Sequence, residues 1–159
     1  MTDTTRIPDS EALLARAREL VAEERDPVAN AANLAALVMQ SVMDLNWVGF
    51  YFAHGDELVL GPFAGKPAVT RIASGRGVCG TAWARAATLV VDDVNAIEEH
   101  IACDAASRAE LVVPLVRDEA VFGVLDCDSP LHARFGDGER LLFERLAALY
   151  VASSDTLRI

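Results

Sequence analysis

Residues 47–63 read WVGFYFAHGDELVLGPF, and the fold class follows from how this stretch alternates. WVGFYF (47–52) and ELVLGPF (57–63) both repeat with a period of two, and His54-Gly55-Asp56 between them has the composition of a short hairpin turn. Two strands joined so closely pair antiparallel, because a parallel crossover needs a dozen residues or more. Within the first strand, alternation puts Trp47, Gly49 and Tyr51 on one face and Val48, Phe50 and Phe52 on the other. The second set is wholly apolar and reads as the core face. Trp47 and Tyr51, separated by a glycine, are then candidates to wall a small pocket, although packing under a loop explains them nearly as well.

Upstream, the period lengthens to that of a helix. Leu13, Leu14, Ala17, Leu20 and Val21 fall on one helical face behind an N-cap at Asp9 or Ser10. Asp26-Pro27 supplies a cap and a first-turn proline for a second helix, whose apolar face runs through Leu34, Leu37, Val38, Val42 and Leu45. Downstream, a weaker strand is expected over about 66–73, a short helix from VCGTAWARAA (78–87), a strand at LVVDD (89–93) and an irregular polar stretch over 95–107. ELVVPLVRDEAVFGVLDCDS (110–129) reads as two strands turning near Asp118-Glu119, and Leu142, Leu146, Leu149 and Tyr150 mark a final helix. Helices at both ends of a mainly antiparallel sheet of about six strands make an α+β plan, and the 159 residues are expected to form a single domain.

Composition excludes several classes. The formal net charge is -10, and 14 Lys and Arg are scattered along the chain, which disfavours nucleic acid and anionic membranes. The N-terminal segment is amphipathic and charged throughout, unlike a signal peptide or a membrane span, so a cytoplasmic location is expected. Gly75-Arg76-Gly77-Val78-Cys79-Gly80 matches the spacing of a dinucleotide-phosphate loop. Its context opposes that reading, since Thr70 and Arg71 interrupt the preceding strand and no βαβ unit surrounds it. The glycines more simply allow a tight turn into a helix.

The polar load on the last strand is the chemical signal. Val124, Asp126 and Asp128 share one face, and Leu125 and Cys127 the other. On pattern alone, acids ending an apolar strand face solvent. Yet Glu110 opens the preceding strand close in register, so three carboxyls can converge, and acids so crowded do not all ionise. Among the three cysteines, Cys79 sits at a predicted helix start, Cys103 in the loop HIACDAAS beside a short helix expected from Asp104, and Cys127 faces the core. His100 and Cys103 have H-x-x-C spacing, but two ligands without a second pair do not make a zinc site, and no metal is expected.

NWVGFY, LVLGPFAGKPA, GRGVCGTA, HIACDAAS, the ELVVPL strand and GVLDCDS occur in this order over about Asn46–Ser129, and together they resemble the free methionine-(R)-sulfoxide reductases, enzymes with a GAF fold. The resemblance implies Cys103 as the attacking thiol, Glu110, Asp126 and Asp128 as acids that hold the substrate and polarise its sulfoxide, and Trp47 and Tyr51 as pocket walls. It further implies a sulfenic acid on Cys103, an intramolecular disulfide, and recycling by thioredoxin or another thiol, with no cofactor. Homodimers are common for this fold. Many members carry a resolving cysteine where this chain has Val69, which leaves Cys79, Cys127 or an external thiol. Strand parity favours Cys79, and Cys79 is the expected resolver. The rival reading is a non-catalytic GAF sensor of small molecules, and a thiol peroxidase is a weaker third.

Overall fold

The computed structural model describes residues 9–97 and 105–158. Helices α1 (Ser10–Val21) and α2 (Pro27–Ser41) lead into strands β1 (Trp47–His54), β2 (Glu57–Gly65) and β3 (Arg71–Ala73). Helix α3 (Gly77–Arg85), strand β4 (Leu89–Val91), a 3-10 turn (Val94–Ala96), strands β5 (Ala109–Arg117) and β6 (Ala120–Ser129) and helix α4 (Asp137–Ser153) follow. The six strands form one sheet in the order β3-β2-β1-β6-β5-β4 with every neighbouring pair antiparallel. The α+β expectation holds.

Both N-terminal helices start as the sequence predicts. Asp9 accepts from the backbone N–H groups of Glu11 and Ala12, and Asp26 from those of Val28 and Ala29, with Pro27 in the first turn. Caps of this kind each contribute about 0.5–2 kcal/mol. The second hairpin turns at Asp118 and Glu119, both with positive φ (51° and 65°), the backbone twist that suits a two-residue connection. Pro114 is tolerated within β5 because β4 pairs only with residues 110–112 and stops short of it.

The sheet separates two cores. On one face, Val48, Phe50, Phe52, Leu111, Val113, Leu125 and Cys127 pack under a layer of α1, α2 and α4. On the other, Trp47, Tyr51, Val112 and Val124 share an apolar cluster with Val78, Cys79 and Ala82 of α3. The glycine turn at residues 75–80 serves this placement. Gly75 and Gly77 adopt φ of 78° and 60°, and a Cβ on Gly80 would strike the Ala73 carbonyl. They turn the chain into α3, as read from the sequence.

One element differs from expectation. Only Arg71–Ala73 of the segment 66–73 is a strand. Pro67 has no N–H to give a ladder, and the carbonyls of Lys66 and Val69 accept instead from the Trp47 indole (3.1 Å) and the Tyr51 hydroxyl (2.9 Å).

Candidate active site

Register builds the site. Glu110 of β5 lies opposite Asp128 of β6, and Asp128 opposite Trp47 of β1. One step along, Val112, Asp126 and Gly49 form the next row, followed by Pro114, Val124 and Tyr51. Because residues two apart share a face, this arrangement puts Glu110, Asp126, Asp128, Trp47 and Tyr51 on the side covered by α3. All five are buried, with Glu110 at 4%, Asp126 at 0% and Asp128 at 3% exposure. The solvent-edge reading of these acids therefore fails.

Cys79, in the first turn of α3, comes down onto the acids. Its thiol donates to Glu110 Oε1 across 3.8 Å, and single atoms of Cys79, Glu110 and Asp126 lie within 4.8 Å of one another. Burial raises the Glu110 carboxyl well above the usual carboxylate range, and the adjacent Asp128 charge raises it further. Asp126 is raised by burial and then by Glu110, and neither of its oxygens has a hydrogen-bond partner of good geometry. Both pressures favour the neutral acid over the carboxylate.

The aromatics stand beside the acids. Trp47 stacks on Phe63 (5.3 Å between centroids) and lies 6.0 Å from Tyr51. A Cβ on Gly49 would collide with Phe63 and with the Trp47 ring, so the glycine makes room for that stack rather than for an open gap. The polar ends of both aromatics are committed to the 66–69 segment. Phe63 was not singled out in the sequence. Its signal was its pairing with Gly49 across the hairpin, a register legible only once the bulge between Gly49 and Tyr51 is known.

Cys127 is buried on the opposite, apolar face, where burial raises its thiol well above the usual range and disfavours a thiolate. Neither Cys79 nor Cys127 forms a disulfide among the described residues. His100, Cys103 and Asp104 lie outside the described residues. A separate cleft of about 860 Å³, between Arg25–Val28 and Asp155–Arg158, has Arg25 and Asp155 paired at 3.1 Å and no cysteine in its lining. Among the described residues, no helix is long and apolar enough to cross a membrane.

Comparison with known proteins gives the family of this fold. The sequence matches the GAF domain over residues 26–152. It is 48% identical to the free methionine-R-sulfoxide reductase of Escherichia coli (strain K12) over 129 residues, which cover 81% of this chain and 78% of that protein. Its fold superposes with a TM-score of 0.87 on the free methionine-R-sulfoxide reductase of Neisseria meningitidis in complex with its substrate, at 46% identity, covering 91% of this chain and 87% of that one. A putative GAF sensor protein from Burkholderia vietnamiensis is 53% identical, with a TM-score of 0.87 and coverage of 91% and 92%. With its acids, aromatics and α3 cysteine set out on one face of this fold, and with these identities across four-fifths or more of its length, the chain belongs to the GAF-domain family of free methionine-R-sulfoxide reductases.

Proposed function

We propose that the protein reduces the R-sulfoxide of free methionine with the Cys103 thiol. The observation that carries this reading is the cluster of three buried carboxyls on one sheet face, two of them pushed toward the neutral acid, with the Cys79 thiol against Glu110. Such a face binds the ammonium group of a free amino acid through an ionised member of the cluster and gives a proton from a neutral one. Trp47 and Tyr51 offer ring faces to the methyl thioether. The thiolate of Cys103 attacks the sulfoxide sulfur while a carboxyl of the cluster protonates the sulfoxide oxygen; that oxygen passes to Cys103, free methionine leaves, and Cys103 becomes a sulfenic acid. The Cys79 thiol then condenses with it, releasing water and forming a disulfide. A thioredoxin-type dithiol reduces the disulfide and is itself oxidised, a cycle suited to a reducing cytoplasm.

The 53% identity to a putative GAF sensor keeps a binding module without catalysis as the second reading. Turnover of the two methionine sulfoxide epimers, coupled to thioredoxin, separates the two. Wild type is expected to consume only the R form, and Cys103→Ser to fall to background. Binding of methionine sulfoxide without turnover would favour the sensor and refute the enzyme.

A further inference from the structure

Cys79, Glu110 and Asp126 meet in a geometry that proton supply alone does not require. They come from three elements, α3, β5 and β6, and one atom of each, the Cys79 sulfur and a carboxylate oxygen from either acid, lies within 4.8 Å of the other two. The Cys79 Sγ to Glu110 Oε1 distance is 3.8 Å. Around a tetrahedral zinc ion, with Zn–S about 2.3 Å and Zn–O about 2.1 Å, neighbouring ligand atoms stand about 3.4–3.6 Å apart. The three atoms therefore need to close by little more than about 1 Å to hold such an ion. The elements that carry them are fixed. Glu110 and Asp126 sit in adjoining rungs of the β5–β6 ladder, and α3 approaches so closely that a Cβ on Gly80 would strike the Ala73 carbonyl.

Acids beside a thiol are not in themselves a site, and Asp126 makes the difference. Its side chain is fully buried and reaches toward Cys79 and Glu110, yet neither of its oxygens has a hydrogen-bond partner of good geometry. A buried acceptor left in this way costs stability unless a positive group completes it. We propose that Cys79, Glu110 and Asp126 form a site for one thiophilic divalent cation, Zn²⁺ above others, with water as its fourth ligand. The donor set selects the ion. A thiolate disfavours Mg²⁺ and Ca²⁺, which take oxygen ligands, and two carboxylates disfavour Cu⁺. As the ion enters, the Cys79 thiol and any protonated carboxyl of the pair release their protons to solvent. On the proposed function, the bound ion withholds the resolving thiol and the acids from the sulfoxide, so zinc and turnover exclude one another. That consequence rests on the reductase reading; the site itself does not.

The test titrates the full chain, reduced and metal-free, with Zn²⁺ by calorimetry and with Co²⁺ followed by its sulfur-to-metal charge-transfer absorption. One ion per chain is expected, with a thiolate band on cobalt and no binding of Mg²⁺ at the same concentration. Cys79→Ser should abolish the band. Asp126→Asn, which keeps the size of the side chain, should weaken Zn²⁺ by about 10²-fold or more, at least the cost of disturbing a group behind a metal ligand. Its metal-free melting temperature shows that it is folded. Cys103→Ser should bind as wild type does. A cobalt band that survives Cys79→Ser, one that is lost in Cys103→Ser, an affinity unchanged by Asp126→Asn, or no binding to the reduced wild type would overturn the site. A metal-free wild type inactive on methionine-R-sulfoxide would overturn the reductase reading and leave the site standing, which keeps the two failures distinct.

Discussion

Val48, Phe50 and Phe52 of β1 pack into an apolar layer under α1, α2 and α4, whereas Trp47 and Tyr51 of the same strand share their face with Glu110, Asp126 and Asp128. β6 divides in the same way, with Leu125 and Cys127 against the helices and Asp126 and Asp128 under α3. The first face is filled by side chains that gain from leaving water. The second buries acids that burial penalises, and Asp126 has no hydrogen-bond partner of good geometry. A strand pays no conformational cost for carrying both patterns, because its period of two keeps them apart. One face thus supplies the stability from which the other draws, as expected where strained or perturbed groups cluster at a functional site.

Substitutions on the two faces should therefore act differently. Phe50 is buried against Tyr150 (4.7 Å between ring centroids), and Phe50→Ala is expected to lower unfolding free energy by about 3–5 kcal/mol, measured by urea denaturation. Its effect on turnover per folded molecule should be small. Next come the two cysteines. Cys127→Ser places a hydroxyl in an apolar layer and should cost about 1–3 kcal/mol while thioredoxin-coupled turnover persists. Cys79→Ser should reverse this pattern, yielding one equivalent of methionine per chain and then stopping. Continued turnover in Cys79→Ser with loss in Cys127→Ser would exchange their roles.

The smallest effect is a drift of stability with pH. Glu110 is raised in the folded protein above its ordinary value of 4.5, so its favourable contribution is full below that pH and is lost as pH rises through the raised folded value. Wild type should accordingly lose melting temperature relative to Glu110→Gln as pH rises from about 4.5 toward neutrality, by about 2–4 °C per kcal/mol. A constant difference between the two across that range would show that Glu110 keeps its ordinary ionisation.

Much of this division was legible in the sequence, because alternation is a local signal. The faces of β1 and β6, the caps at Asp9 and Asp26, the turn at Asp118-Glu119 and the tight glycine turn into α3 all follow from neighbouring residues. The convergence of Glu110 with Asp126 and Asp128 needed only one hairpin register. What escaped depends on contacts distant in sequence. The 66–69 segment lacks strand pairing, and two aromatics of another strand take the carbonyls of Lys66 and Val69. The buried Arg134–Glu139 ion pair, 2.6 Å, joins the start of α4 to the Met43 carbonyl and had no periodic signature. Burial of the acids also depended on α3 crossing over them, which spacing within strands does not reveal.

Asp126→Asn tests the contrast between the faces most directly, because the residue is fully buried, without a hydrogen bond of good geometry, and central to the proposed proton supply. Melting temperature and turnover of methionine-R-sulfoxide would be measured on the same preparation at neutral pH. Opposite changes are expected, with a melting temperature at or above wild type and a turnover lowered about 10²–10⁴-fold. Wild-type turnover, or a loss of turnover accompanied by a matching loss of stability, would contradict the account.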